Sequence, residues 1–312
     1  MSDPRVHSTV ADLAALEPAA RDFGFLHRQP ARSVLTGRHG SRLRGRGLAF
    51  DELRRYLPGD DIRAMDWRVT ARTGKPHVRV FTEERDRPTL LVVDQRLNMF
   101  FGSVWAMKSV AAAQVAALCA WRVLGQGDRV GGLVLDDAGV AQFRPARSRT
   151  AVMRLLAAIA DRNSAMHAGA AAVRGGPRLN EALETAASLA GRDHLVIVIG
   201  DLDGHDGRTR ALLSRLAAAN DVVVMLVYDP FLLKLPRSGE IVVGDGEMQV
   251  ELRFAHGAVR RGVAEFADAR GREILGWRRE LGVTVLPISA AEEVAPQIRR
   301  LLGQALERER RR

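Results

Sequence analysis

The chain has 312 residues, and its apolar fraction of 46% excludes a disordered protein because it supplies enough surface for a core. A formal net charge of +10 makes nucleic acid, an anionic membrane surface or an acidic protein a candidate partner. No apolar stretch reaches the roughly 18 residues of a membrane-spanning helix, and the first residues lack a signal-peptide pattern. The single cysteine, Cys119, can form no internal disulfide. We therefore predict a cytoplasmic protein without membrane insertion.

The first part of the chain, residues 1–88, is predicted to form an N-terminal extension. Residues 1–26 carry apolar side chains at helical spacing, and residues 33–48 combine glycine and arginine as a loop or bent β-ribbon does. A short helix is predicted for residues 50–57 and a strand for residues 77–82, where apolar and polar residues alternate. Pro88 follows a charged run and marks the predicted boundary.

From Thr89 onward, apolar strands alternate with helices. Strands are predicted at 89–94, 130–136, 140–143, 194–199, 221–228 and 283–288, with a hairpin at 240–254. Helices are predicted at 104–124, 148–162, 179–191, 207–219, 257–281 and 291–309. Continuous apolar runs between helices are typical of parallel strands covered on both faces. Residues 89–312 are therefore predicted to form a doubly wound, Rossmann-like α/β domain with a mostly parallel sheet.

Polar side chains follow two of these strands. Asp94 closes the first strand of the domain, and Arg96 and Asn98 lie in the loop behind it. Asp201 and Asp203 follow the strand at 194–199. Because open α/β sheets bind ligands at the carboxyl ends of their strands, we expect these side chains to lie together at a functional edge.

A long ordered motif lies just before the α/β domain. It reads L-R-R-Y-L-P-G-D-D-I-R-A-M-D-W-R-V-T-A-R-T over residues 53–73. Its signature positions are Arg54, Tyr56, Pro58, Gly59, Asp60, Asp61, Arg63, Asp66, Trp67, Arg72 and Thr73. The motif resembles the bacterial family catalogued as domain of unknown function fifty-eight. That resemblance extends into the second part of the chain, which is similar to a von Willebrand A-type domain.

The resemblance implies an interaction protein with no established enzymatic reaction. Members of the family are similar to partners encoded beside MoxR-type AAA+ ATPases, whose systems are thought to act in protein maturation or stress. We therefore expect a non-enzymatic adaptor that binds a MoxR-type ATPase or other proteins. Its contact would be the carboxyl edge of the sheet or the basic ribbon at residues 38–46.

The resemblance also implies a metal site whose ligands have changed. A von Willebrand A-type site uses an Asp-x-Ser-x-Ser loop, but here the serine positions hold Arg96 and Asn98. The threonine expected from a second loop is Pro177. The degenerate site is predicted to comprise Asp94, Asn98, Asp201 and Asp203. We expect no cofactor and at most weak magnesium binding, because the Arg96 guanidinium can replace the ion beside Asp94 or Asp201.

The signature motif itself is dense in charge. Arginine binds carboxylates through two hydrogen bonds, so an ion-pair network is expected. Its predicted members are Asp60, Asp61 and Asp66 with Arg54, Arg63 and Arg72. Trp67 is expected to be the apolar anchor of this network. The motif is therefore interpreted either as a structural clamp or as a recognition surface.

The sequence is also compatible with two other functions. A metal-dependent phosphoesterase or nuclease would use Asp94, Asp201 and Asp203, although two-metal chemistry needs more carboxylates than these. A nucleic-acid-binding module would use the arginine-rich segments, although aromatic residues make up only 5% of the chain and stacking platforms are scarce. The sequence contains no Walker-type loop and no recognisable catalytic triad, so no catalytic residue is predicted.

Overall fold

The structure is a computed structural model that describes residues 3–22, 48–83, 87–167, 179–233, 235, 240–244, 249–253 and 257–310. The chain divides into two compact units. The α/β unit comprises Met1–Leu26 and Arg87–Arg312, and the signature unit comprises His27–Asp86. This division differs from the predicted extension of residues 1–88, because the first 26 residues belong to the α/β unit.

The N-terminal segment joins the α/β unit through a short helix, α1 (Val10–Ala14), and a 3-10 turn at Ala19–Asp22. Leu13 of α1 is fully buried, and its carbonyl accepts a hydrogen bond from the indole N–H of Trp121 at 3.1 Å. The Ser8 backbone N–H donates to Asn163 Oδ1 at 2.8 Å, and the Asn163 amide donates to Gln95 Oε1 at 2.9 Å. These buried contacts make the segment part of the core rather than part of an extension.

The signature unit is built on a two-stranded antiparallel ribbon, β1 (Leu48–Arg55) and β2 (His77–Glu83). A 3-10 turn at Ile62–Ala64 and the helix α2 (Trp67–Thr73) connect the strands. The predicted helix at residues 50–57 is therefore wrong. Its backbone hydrogen-bonds across to β2, and pairing with a distant segment overrides a weak local preference. The predicted basic ribbon at residues 38–46 lies outside the described residues.

The α/β unit contains a six-stranded sheet and a separate hairpin. Its strands are β3 (Thr89–Asp94), β4 (Val130–Leu135), β5 (Val140–Ala146), β6 (Leu195–Gly200), β7 (Asp221–Tyr228), the hairpin strands β8 (Glu240–Gly244) and β9 (Gln249–Arg253), and β10 (Thr284–Ser289). The sheet order is β10-β7-β6-β3-β4-β5, and only the edge strand β5 is antiparallel to its neighbour. This confirms the predicted doubly wound, mostly parallel α/β fold.

Helices cover both faces of this sheet. They are α3 (Lys108–Gly125), α4 (Arg149–Ala165), α5 (Leu179–Leu189), α6 (Gly207–Ala217), α7 (Gly257–Glu280) and α8 (Val294–Arg310). Because side chains alternate along a strand, Leu91 and Val93 of β3 join one core cluster with α3, while Leu90 and Val92 join the other with α5. Among the described residues, no helix has the length and apolar character needed to cross a bilayer.

Candidate functional site

The strands β3 and β6 are neighbours at the centre of the sheet, and the chain winds outward from them in opposite directions. Such a switch point is where open α/β sheets form a ligand crevice. Asp94 ends β3, and Gly200 ends β6 directly before Asp201. A Cβ atom at Gly200 would lie only 2.7 Å from the Cβ atom of Asp94, so glycine permits the close approach of the two strand ends.

Asp94 is paired with the guanidinium of Arg96. The Arg96 Nε–H donates to Asp94 Oδ1 at 3.0 Å and an Arg96 terminal N–H donates to Oδ2 at 2.6 Å. The Arg96 backbone N–H also donates to Oδ1 at 3.0 Å. Both side chains are largely buried, so this two-pronged ion pair neutralises the carboxylate inside the protein.

Asp201 is paired with a different cation. Lys108, the first residue of α3, places its ammonium 2.5 Å from Asp201 Oδ2, and each side chain is only 13% exposed. The Asn98 amide donates to both carboxylate oxygens of Asp201, at 3.0 and 3.2 Å. Asn98 therefore presents its N–H groups to the site, where a metal ligand would present its oxygen.

Asp203 completes the set with a third cation. An Arg270 terminal N–H from α7 donates to Asp203 Oδ1 at 2.9 Å, and another donates to the Asp201 carbonyl at 3.1 Å. A terminal N–H of Arg96 also donates to the Asp203 carbonyl at 3.1 Å. We call Asp94, Asp201 and Asp203 with Arg96, Lys108 and Arg270 the paired cluster.

Burial and pairing act in opposite directions on the titration of this cluster. Burial raises the pKa of Asp94, and the hydrogen bonds and charge of Arg96 act against that rise. Burial would also raise the pKa of Asp201, but the charge and hydrogen bond of Lys108 lower it below its ordinary value. Burial disfavours the charged guanidinium of Arg96, yet the neighbouring carboxylates raise its pKa above the usual range. The cations thus favour the charged form of the cluster.

The donor set does not fit a magnesium ion. Magnesium requires carboxylate or carbonyl oxygens that face the ion, and each carboxylate of the paired cluster already accepts a hydrogen bond from one of its three cations. Among the described residues, no group of three or more His, Cys, Asp or Glu side chains is arranged to hold a metal. Pro177, predicted to stand at the threonine position, lies outside the described residues.

The structure brings together all four residues predicted at this edge, Asp94, Asn98, Asp201 and Asp203. The predicted pairing of Arg96 is observed with Asp94. Lys108 and Arg270 were not predicted from the sequence. One sequence feature pointed weakly to Lys108 as a site residue: it is one of only three lysines, and it follows the loop after Asp94. No sequence feature pointed to Arg270 as a site residue, because it lies 67 positions after Asp203 in the chain.

The signature unit also contains ion pairs, but not all of the predicted ones. Arg54 donates to both carboxylate oxygens of Asp60 at 2.8 and 2.7 Å. Asp66 accepts from the Arg79 Nε–H at 2.8 Å and caps α2 by accepting from the Arg68 and Val69 backbone N–H groups. These bonds lower the pKa of both carboxyl groups below the ordinary value. Asp66 therefore begins a helix as well as bonding an arginine.

The remaining signature residues shape turns or face solvent. Asp61 caps the 3-10 turn, and Gly59 adopts a left-handed φ of 109° after the exposed Pro58. The Tyr56 backbone N–H donates to Pro76, and the Thr73 hydroxyl donates to the Val69 carbonyl. Within the described part of the chain, neither Arg63 nor Arg72 forms an ion pair, so their predicted place in the network is wrong.

The expectation that Trp67 anchors the charge network is also wrong. Its side chain is 65% exposed, because it occupies the first position of α2 and α2 has no buried residue. Three other large apolar side chains of this unit, Leu53, Leu57 and Ile62, are exposed as well. The tryptophan therefore contributes apolar surface rather than core.

Taken together, the fold and site define a doubly wound α/β protein whose central strand ends are closed by internal ion pairs. Comparison with known families identifies the family of this chain. The model of the family described as "Protein of unknown function DUF58" matches residues 52–273, and the chain belongs to this family.

Relatives of similar length occur in mycobacteria. An uncharacterized protein from Mycobacterium bovis is 32% identical over 274 residues, which cover 88% of this chain and 84% of the relative. Uncharacterized proteins from two Mycobacterium tuberculosis strains match with the same values.

Two solved structures show distant likeness to this chain. The VWA domain of SpRpn10 matches with 8% identity and a TM-score of 0.36, covering 69% of this chain and 94% of that domain. A von Willebrand factor type A protein from Catenulispora acidiphila matches with 11% identity and a TM-score of 0.35, covering 73% of this chain and 43% of that one.

Proposed function

We propose that this protein is a non-enzymatic adaptor of the cytoplasm that binds a MoxR-type AAA+ ATPase in protein maturation or stress response. The supporting observation is the paired cluster. Each of its three carboxylates is matched by a cation of the same chain, so the cluster at the carboxyl edge is charge-balanced by internal ion pairs. The ATPase is proposed from the family resemblance described above.

The same observation weighs against a metal-dependent phosphoesterase or nuclease. Two-metal hydrolysis needs carboxylates that are available to ions about 4 Å apart. Here a metal ion would have to displace Arg96 from Asp94 and Lys108 from Asp201, both in buried pairs. Displacement would leave buried cations without partners, which costs several kcal/mol for each ion.

Co-purification of the protein with the MoxR-type ATPase of the same organism, with and without ATP, tests this proposal. Asp203→Lys is the informative variant because Asp203 lies at the carboxyl edge, is 51% exposed, and is paired with Arg270. Asp221→Lys is the matched control. Asp221 begins β7 at the opposite edge of the sheet, is 48% exposed, and is paired with Arg87.

We expect Asp203→Lys to weaken the complex and Asp221→Lys to leave it intact, with similar melting temperatures for both. Absence of a complex in either nucleotide state, together with magnesium-dependent cleavage of nucleic acid or a phosphoester by the purified protein, would replace the adaptor with the enzyme. Equal weakening by both variants would place the contact elsewhere, and the basic ribbon at residues 38–46 would be tested next.

A further inference from the structure

The loop between the end of β3 and the start of α3 exposes two apolar side chains to solvent. It follows a 3-10 turn at Leu97–Met99 and covers residues 100–107. Val104 is 71% exposed and Trp105 is 36% exposed. The loop lies at the carboxyl edge of the sheet, as its contacts with residues just after β7 and β10 show. We call Val104 and Trp105 the apolar tip.

Hydrogen bonds to the residues that follow β7 and β10 fix the apolar tip in place. Asp229, which follows β7, accepts hydrogen bonds from the Ser103 backbone N–H at 2.8 Å and from the Ser103 hydroxyl at 2.6 Å. The Ala106 N–H donates to the Ala290 carbonyl after β10 at 3.1 Å. At Gly102 the backbone passes so close that a Cβ atom would lie 2.3 Å from the Ala106 carbonyl oxygen. A loop fixed in this way loses little entropy on binding.

A cation stands beside the apolar tip. The guanidinium carbon of Arg5 lies 4.3 Å from the centroid of the Trp105 ring, and the Met107 N–H donates to the Arg5 carbonyl at 2.9 Å. Arg5 is exposed, and among the described residues it forms no ion pair with a carboxylate. The stacking orients the guanidinium, so its hydrogen-bonding N–H groups are available to an acidic group of a partner.

We propose that the apolar tip and Arg5 form a docking surface for a partner protein that offers an apolar pocket rimmed by carboxylates. Interfaces are dominated by a few well-placed anchors, among which tryptophan and arginine are enriched. The tip supplies the apolar anchor, and Arg5 supplies the charge that fixes its orientation. This inference deepens the proposed function because it names the part of the carboxyl edge that contacts the partner.

An anionic membrane surface is the other candidate for a tryptophan and an arginine side by side. The rest of this edge argues against it. Anionic membranes attract clusters of unpaired lysine and arginine, whereas the cations of the paired cluster, including Arg270 beside Asp203, are already bound to carboxylates. The exposed apolar tip has only two side chains, which is a small area for membrane insertion and a suitable one for a protein pocket.

Site-specific photo-cross-linking in cells tests the docking surface. The full-length protein carries p-benzoylphenylalanine at position 104 or, as a control, at position 189. Leu189 is also an exposed aliphatic residue, but it ends α5 at the opposite edge of the sheet. We expect a protein adduct at position 104 alone, with the attached peptide lying in an apolar pocket that has Asp or Glu at its rim.

The partner identified by the adduct is then purified and titrated with the wild type and three variants. We expect Val104→Asp and Arg5→Glu each to weaken binding about tenfold or more, and Leu189→Asp to leave it unchanged. Melting temperatures check that every variant is folded. Binding unaffected by Val104→Asp and Arg5→Glu, no protein adduct at position 104, or binding to phosphatidylglycerol vesicles instead of protein would each overturn the docking surface.

The outcomes separate this inference from the proposed function. If the MoxR-type ATPase binds and Val104→Asp has no effect, the adaptor role stands and the docking surface fails. If position 104 cross-links to a different protein whose binding requires Val104 and Arg5, the docking surface stands and the ATPase fails as the partner.

Discussion

The carboxyl edge of the sheet and the signature unit are both rich in charge, but they place it differently. At the edge, Asp94 and Asp201 are buried and each meets a cation of its own. In the signature unit, Asp60 and Asp66 are paired, whereas Arg63 and Arg72 face solvent together with Trp67. The edge thus pairs its buried charges internally, whereas the signature unit leaves two of its arginines exposed and without a carboxylate partner among the described residues.

The largest expected change in the free energy of unfolding distinguishes a buried tryptophan from an exposed one. Trp277 in α7 is fully buried, and Trp67 in α2 is mostly exposed. We expect Trp277→Ala to lower the free energy of unfolding by about 3–5 kcal/mol because it leaves a large cavity. Trp67→Ala should change it by no more than about 0.5 kcal/mol. Urea unfolding followed by circular dichroism measures both, and a comparable loss in the two variants would show that Trp67 is buried in solution.

The next largest change in the free energy of unfolding distinguishes a buried, paired lysine from an exposed one. Lys108→Met leaves the buried carboxylate of Asp201 without its cation, so we expect a loss of about 3 kcal/mol. Lys75→Met changes an exposed lysine of the signature unit and should cost no more than about 0.5 kcal/mol. The same urea experiment reports both values. If Lys108→Met is as stable as the wild type, the Asp201 carboxylate does not depend on Lys108.

A smaller effect is expected from magnesium. Arg96→Ser frees the Asp94 carboxylate and restores a hydroxyl to the loop, so magnesium should raise the melting temperature of this variant. At ten times the dissociation constant the stabilisation is about 1.4 kcal/mol. The wild type and the double variant Arg96→Ser/Asp94→Asn should show no shift. Stoichiometric magnesium binding by the wild type in calorimetry, lost in Asp94→Asn, would contradict the ion-pair interpretation.

The smallest effect concerns Asp206, the N-cap of α6. Hydrogen bonds from the Thr209 backbone and the Asn180 amide lower the pKa of Asp206 from 3.8 to about 2. A lowered pKa stabilises the fold above the unfolded value, and the contribution disappears as the pH falls through the folded value. Asp206→Asn keeps a capping side chain but removes the charge.

We therefore expect Asp206→Asn to be less stable than the wild type at pH 7, with the deficit shrinking as the pH falls from about 4 to about 2. Thermal unfolding across this range measures the difference. Asp161→Asn, which changes an exposed acid in α4 that is not a helix cap, is the control. A deficit that grows at low pH would show that the carboxylate is not stabilised in the folded state.

Much of the α/β unit could be predicted from the sequence because its central strands are buried on both faces. Continuous apolar runs occupy most of residues 89–94 and 221–228, and the predicted bounds agree with β3 and β7. The start of α3 was predicted at residue 104, whereas the helix begins at Lys108. Local patterns identify an element more reliably than they locate its ends.

The site was predictable only in part, since its cations come from distant segments. Arg96 lies two residues from Asp94, so the pair could be anticipated from spacing. Lys108 and Arg270 reach the edge from α3 and α7, and no local pattern shows where a helix will place one long side chain. Trp67 was misjudged because composition does not distinguish a buried aromatic side chain from an exposed one.

The signature unit is an insertion within the α/β unit, since the chain contributes to the α/β core both before and after it. A truncated protein that begins at residue 88 would therefore lose Leu13 and leave the Trp121 indole N–H without its acceptor. Removal of residues 27–86, with a flexible glycine-serine bridge between Leu26 and Arg87, would keep both parts of that core. The α/β unit is discontinuous in sequence, so a shortened protein that retains this unit must keep residues 1–26 as well as residues 87–312.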